Sequence, residues 1–244
     1  MRDRLIILGC GTCQLEPERM ASSVLVESGK DRFLFDIGRG ISLRLVQCGL
    51  KQDDLEHIVL SHFHPDHVGD LIPYLQAACW SRTDARSKKL KIYGPLGTRV
   101  QVMRLIAAFG PDELLKDSFE VETHEIRGDS FQIGNIKISV SDLPPAGNRG
   151  VKFIINGKTV ALTGDSSFHQ EEINFLSGSD ISVIDSGHLT DEEIVALAVK
   201  SKCKKIYLSH LYRALDLTVL QGAAKTRGFS GQFIIAEDMM EIEL

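Results

Sequence analysis

The spacing of apolar residues divides the chain into two regimes. Over the first two thirds, short apolar runs bounded by turn residues predominate. Leu5 to Leu8 predicts a strand that ends in Gly9-Cys10-Gly11-Thr12. Val24-Leu25-Val26 and Phe33-Leu34-Phe35 predict a strand pair across the polar turn Ser28-Gly29-Lys30-Asp31. Ile41, Leu45 and Val46 have helical spacing, closed by Gly49. A buried strand is expected from His57 to Ser61, and helical spacing resumes through Leu71, Leu75 and Ala78. Leu90 to Tyr93 reads as a strand stopped by Gly94-Pro95, and Val100 to Phe109 as a helix. From Phe119 to Val140 the period changes to two, as in meandering strands. Asn156-Gly157, a strong hairpin signal, joins strands at Val151 to Ile155 and Thr159 to Leu162.

The last third alternates instead. Strands are expected at Ile181 to Ile184, Ile206 to Leu208 and Phe233 to Ile235, with helices from Asp191 to Lys200 and Asp216 to Thr226 between them. A strand-rich start followed by strand–helix alternation implies an α/β chain of two sheets covered by helices. With no composition break or linker, residues 1–244 read as one domain.

Composition narrows the function without naming it. The chain is 43% hydrophobic and 25% charged with a formal net charge of -5, which disfavours charge-driven nucleic-acid binding. Arg82 to Lys89 is locally basic and reads as a solvated loop. Five scattered cysteines, Cys10, Cys13, Cys48, Cys79 and Cys203, do not form a disulfide framework, and Cys10-x-x-Cys13 lacks the partner pair of a closed zinc site. No apolar run approaches the ~20 residues of a membrane span. A cytoplasmic protein is expected.

The chemistry is concentrated in His62-x-His64-x-Asp66-His67, where four metal-type ligands follow an apolar strand within six residues. A strand end and the turn after it can aim such side chains into one cavity. Imidazole and carboxylate together suit zinc, manganese or iron. Asp165, after Val160-Ala161-Leu162-Thr163-Gly164, and His210, after Ile206-Tyr207-Leu208-Ser209, are further candidates at strand ends, where rigid backbone can hold a ligand. Gly9-Cys10-Gly11 could instead be a nucleotide- or methyl-donor-binding turn. Position 14, however, is Gln14 rather than the third glycine of that pattern, and no Gly-Lys-Ser/Thr follows.

These pieces together resemble the metallo-β-lactamase superfamily, and within it the ribonuclease Z-like branch. The resemblance is carried by Leu8-Gly9-Cys10-Gly11-Thr12, Leu34 to Gly40, Leu60 to Gly69, Thr163-Gly164-Asp165-Ser166, Gly187-His188-Leu189-Thr190 and Leu208-Ser209-His210-Leu211. It implies a four-layer αββα sandwich with two divalent ions at one edge, zinc first and manganese or iron as alternatives. By resemblance, His62 and His64 hold the first ion. Asp66, His67 and His210 hold the second, and Asp165 bridges both. The family's third first-site histidine has no counterpart between Ser139 and Gly150, where Asp142 is the nearest residue able to ligate; His124 is a more distant option. His188 is implied as a transition-state stabiliser or proton donor to the leaving group, and Asp36 as a residue that orients a ligand or its loop.

Two ions ~3.5–4 Å apart can hold a hydroxide at neutral pH and clamp the attacked group. Asp66 would orient that hydroxide or take its proton. The expected reaction is hydrolysis of a phosphodiester, either a small molecule such as a cyclic nucleotide or phospholipid-like head group, or a short nucleic acid. The alternatives are tRNA 3′ processing, hydrolysis of a non-phosphate ester, thioester or lactam, and metal binding without catalysis. The tRNA-processing enzymes of the branch carry a glycine- and lysine-rich arm, for which Tyr93 to Val121 offers only one helix's worth of sequence. A homodimer is compatible with this reading.

Overall fold

The computed structural model describes residues 3–110, 114–115, 118–127, 130–145 and 147–244. Parts of three segments singled out in the sequence, residues 111–113 and 116–117 of Tyr93 to Val121, 128–129 of Phe119 to Val140 and 146 of Ser139 to Gly150, lie outside the described residues.

The apolar runs form two seven-stranded sheets. The first has the order β14-β1-β2-β3-β4-β5-β6, from β1 (Arg4–Gly9), β2 (Ser23–Ser28), β3 (Asp31–Phe35), β4 (His57–Val59), β5 (Leu90–Gly94), β6 (Val121–Glu125) and β14 (Met240–Glu243). The second has the order β13-β12-β11-β10-β9-β8-β7, from β7 (Ser130–Ile133), β8 (Ile136–Leu143), β9 (Asn148–Ile155), β10 (Lys158–Leu162), β11 (Ile181–Asp185), β12 (Lys205–Ser209) and β13 (Gln232–Ile235). Strands β9 and β10 meet at Asn156-Gly157, both with positive φ, as a type I′ hairpin turn demands.

Three apolar layers hold the sandwich together. Alternate residues of both sheets, such as Val26, Phe33, Ile138 and Phe153, face each other in the middle. The opposite face of the first sheet packs through Leu34, Ile58 and Ile92 against α1 (Ile41–Gln47), α3 (Leu71–Trp80) and α4 (Thr98–Ala108). The opposite face of the second sheet packs through Ile184, Ile206 and Leu208 against α5 (Gln170–Leu176), α6 (Asp191–Ser201) and α7 (Leu217–Thr226). This is the four-layer αββα architecture. No helix among the described residues is long and apolar enough to cross a membrane.

The structure departs from the sequence expectations in three places. Strand β6 leaves the expected meander and joins the first sheet, parallel to β5 through the α4 crossover. Strand β14, not expected at all, closes the edge against β1. The Arg82–Lys89 loop is not simply solvated: Arg86 is buried, and its guanidinium donates to the carbonyls of Gln52, Leu55, Lys88 and Lys89. One arginine thereby satisfies several backbone acceptors of adjoining loops, a stronger requirement than solvation of its charge.

Candidate active site

The side chains of the site come from strand ends and from one short helix that follows such an end. Strand β4 runs into Ser61 and His62. His64 is the N-cap of the one-turn helix α2 (Pro65–Val68), which carries Asp66 and His67. Asp36 follows β3, Asp165 follows β10, Asp185 ends β11 and His210 follows β12. Asp36 and His210 adopt left-handed backbone, with φ of 62° and 54°. That conformation costs a non-glycine residue ~1–2 kcal/mol. Here it turns each side chain off its strand axis into the cluster.

Asp165 is the centre. Its carboxylate lies 2.8 Å from His67 Nε2, 3.3 Å from His210 Nε2, 3.4 Å from His62 Nε2 and 3.5 Å from His64 Nδ1. Gly164 permits this. Its φ is 65°, and a Cβ there would lie 2.6 Å from both Asn148 Oδ1 and Ser61 Cβ. Gly38 is equally constrained, since a Cβ would lie 2.2 Å from the Asp66 carbonyl oxygen.

Buried carboxylates fix which ring nitrogen faces inward. His67 Nδ1 donates to Asp36 Oδ2 at 2.7 Å, which turns Nε2 toward Asp165. Ser61 Oγ donates to Asp36 at 2.8 Å and so can only accept from His62 Nδ1, 2.9 Å away. Asp36 thus orients two imidazoles, one directly and one through Ser61. His210 turns Nδ1 toward Asp185 at 3.4 Å and Nε2 toward Asp66 at 3.2 Å. Carboxylates behind the ring in this way are the usual support of metal-ligating histidines.

The donor set fits divalent ions. His62 Nε2, His67 Nε2 and Asp165 Oδ1 are buried and lack a hydrogen-bond partner among the described residues. The 2.8 Å approach of His67 Nε2 to Asp165 Oδ1 is therefore close without being aligned as a hydrogen bond. Atoms placed this way converge on shared points rather than on one another. Three overlapping sets of nearby donors result: His62, His64 and Asp165; Asp66, His67 and His210; and Asp165, Asp185, His188 and His210, the last with Asp185 turned to the Nδ1 atoms of both its imidazoles.

Charge follows from this geometry. Burial raises the Asp165 carboxyl, but the close approach of the His62 and His67 imidazoles and the charge on His67 and His210 overcome that and hold it far below the usual carboxylate range. Burial alone would lower His67 and His210. The Asp36 and Asp165 carboxylates carry His67 well above its ordinary value, and Asp185 and Asp66 push His210 up to about 9.

His188, at the solvent-facing side of the cluster, is 45% exposed. Its Nδ1 pairs with Asp185 at 2.6 Å, and its ring stacks on His210 with centroids 5.2 Å apart. Thr190 caps α6 in a capping box with Glu193, so the segment both starts a helix and delivers His188 to the site. Asp185 went unnoticed in the sequence, although it ends an apolar strand just as Asp165 and His210 do. It is buried and accepts from the backbone N–H groups of Ser166, Gly187 and His188. Tyr212 stands edge-on to His188 and His210, over Gly187, where a Cβ would lie 2.5 Å from its ring.

Asp142 is not brought into the cluster. It is 74% exposed and ion-paired with its cross-strand partner Arg149 at 2.8 Å. The guanidinium claims the carboxylate that would have replaced the missing histidine. His124 is also elsewhere, on β6, paired with Glu122 at 3.0 Å and stacked on Tyr93.

The sandwich and the strand-end cluster define a protein of the metallo-β-lactamase fold, in its ribonuclease Z-like branch. YhfI of Bacillus subtilis, a metallo-β-lactamase fold protein, superposes with a TM-score of 0.80 at 22% identity over 100% of both chains. A sequence profile described as anti-Pycsar protein Apyc1 matches residues 4–214, and the chain belongs to that family. Ribonuclease Z of Pyrococcus horikoshii is 31% identical, covering 98% of this chain and 95% of its own. Ribonuclease Z of Mycobacterium sp. strain KMS is 31% identical over 66% of this chain, which spans 60% of that relative's length.

Because Asp36 orients both His62 and His67, Asp36→Asn is expected to weaken divalent-ion binding roughly 10–100-fold, the usual effect of losing such a support. Chelator competition measures this directly. Unchanged affinity would show that the ring orientations are fixed by packing alone.

Proposed function

We propose that the chain is a dinuclear metal-dependent phosphodiesterase acting on a small substrate in the cytoplasm. The observation that carries this reading is one buried carboxylate, Asp165, within 3.5 Å of four imidazoles. Asp66, His67, His210 and Asp165 would hold one ion, and His62, His64 and Asp165 the other. Zinc suits these nitrogen and oxygen donors, and manganese or iron are the alternatives. When bound, such a pair supplies Lewis acidity at a phosphoryl oxygen and makes water acidic enough to attack at neutral pH.

The chain's own residues do the rest. Asp66 is held below the usual carboxylate range by its His210 hydrogen bond, against the opposing effect of burial; it is therefore ionised, and its place in the cluster, rather than its basicity, fits it to take a proton from the attacking water. The Asp185 hydrogen bond raises His188 above its ordinary value, which favours the protonated imidazole that can donate to the departing oxygen. Asp36 and Asp185 hold the rings while charge moves. Beside the cluster opens a cavity of about 580 Å³, lined by Phe63 and Pro65 of the motif and by Ile72, Gln76, Gln101 and Leu105. None of its lining residues among the described residues is charged, so it suits an uncharged substituent on the phosphate rather than a long polyanion. The chain alone or a homodimer could present it.

The test is a panel of generic phosphodiesters, lactams and thioesters with zinc- or manganese-loaded protein. Turnover of phosphodiesters is expected. Cleavage of a lactam or thioester with none of a phosphodiester would sink the reading. A second reading, tRNA 3′ processing, draws on the 31% identity to proteins named ribonuclease Z; cleavage of precursor tRNA in preference to small diesters would establish it.

His188 makes a further prediction. His188→Ala is expected to lower kcat roughly 10²-fold for diesters with alkoxide leaving groups, the usual contribution of a positioned acid. A nitrophenyl diester, whose leaving group needs no proton, should lose far less. Equal losses on both substrates would remove the proton-donor assignment.

A further inference from the structure

The two halves of the ligand cluster are not built alike. In the set formed by Asp66, His67 and His210, all three side chains are buried. Each of its imidazoles has a buried carboxylate at Nδ1: Asp36 for His67 and Asp185 for His210. Asp165 adds a fourth donor. The set formed by His62, His64 and Asp165 has three donors, one of them shared, and His64 is 64% exposed at the N-cap of a one-turn helix. Asp142, which could have been the fourth, is held by Arg149 at 2.8 Å. That pairing is built into the sheet. Asp142 and Arg149 are register partners across β8 and β9, and the Arg149 N–H donates to the Ser61 carbonyl beside His62.

Affinity for a divalent ion follows the number of charged donors and the rigidity with which they are held. We infer that the chain binds one divalent ion tightly, through Asp66, His67, His210 and Asp165, and a second weakly and exchangeably, through His62, His64 and Asp165, the phosphodiester anion supplying the oxygen donor that Asp142 does not. The free divalent-ion concentration then sets how much of the protein is competent. Ion and substrate also bind together at the weak set, and each tightens the other by the same factor. The inference deepens the phosphodiesterase reading and rests on it for the identity of the anion.

The experiment is calorimetric titration of the metal-free full chain with zinc, with and without dimethyl phosphate as the probe anion, using chelator competition for the tight phase. Two phases of one equivalent each are expected, the second weaker by roughly tenfold or more. Dimethyl phosphate should tighten the second phase and leave the first unchanged. His64→Ala should abolish the second phase and keep the first. Two equivalents of equal affinity in the unmodified protein, or an anion effect on both phases alike, would overturn the inference. So would loss of both phases in His64→Ala protein that keeps its unmodified circular-dichroism spectrum. Equal affinities accompanied by phosphodiester turnover would defeat this inference alone. Unequal phases with no turnover at zinc saturation would defeat the phosphodiesterase reading alone.

Discussion

Asp165→Ala is expected to lower kcat/KM for a phosphodiester by roughly 10³-fold or more, since even a single well-placed electrostatic group is commonly worth ~10²–10³. Asp165 touches both donor sets, so its loss should also remove an anionic ligand from each ion at once. Metal analysis after dialysis should find less than one equivalent. Asp142→Ala is the informative contrast. Its carboxylate is exposed and paired with Arg149, so rate and metal content should stay within about twofold, as for an exposed ion pair of little energetic weight. If Asp142→Ala lost an ion while Asp165→Ala kept two, the roles assigned to these carboxylates would be reversed.

The contrast between these aspartates also shows how far the sequence could be read. His62 to His67 was legible because four ligand types sit in one run after an apolar strand. Asp165 and His210 were legible because each ends a strand whose apolar residues announce it. Asp185 carries the same signal. Its role depends on a neighbouring histidine, His188, and one from another segment, His210, meeting one carboxylate in space. Asp142 was misplaced because position along the chain does not reveal a cross-strand partner, and Arg149 decides where that carboxylate goes. The fold follows the same division. Local periodicity identified most strands, whereas β6 and β14 required long-range pairing: β6 with β5 across a helix, and β14 with β1 from the far end of the chain. Strand β6 is half-buried throughout, so it lacks the alternation that would mark its faces.

Raising the pH from about 6.5 to 9 is expected to destabilise the metal-free protein and, over the same interval, to tighten its binding of zinc. His67 and His210 are raised in the folded protein, His210 to about 9. A raised histidine contributes stability fully below its unfolded value of ~6.5, and that contribution is lost as pH climbs through the folded value. Asp165 is lowered, so its contribution is present above the ordinary carboxylate range, ~4, and is lost only on acidification. The metal-free ion pairs are therefore complete between ~4 and ~6.5 and weaken above that window. Zinc requires the opposite protonation. At neutral pH, His67 and His210 must each give up a proton before Nε2 can ligate, so filling the tight set should release about two protons. Zinc affinity should then rise with pH until His210 titrates in the metal-free protein. Titration in buffers of different ionisation enthalpy counts the protons, and parallel melting curves of metal-free and zinc-loaded protein follow the stability. Release of less than one proton at pH 7, or a metal-free melting temperature that does not fall from pH 6.5 to 9, would mean that these imidazoles are already neutral. Asp165 would then confront them as a hydrogen-bond acceptor rather than as a counter-ion. The two alternatives make opposite demands on Asp165→Asn. If Asp165 is a counter-ion, the metal-free protein should lose stability at pH 6 and approach the unmodified protein by pH 9. If it is a hydrogen-bond acceptor, the amide oxygen can still accept, and the stability difference should be the same at both pH values.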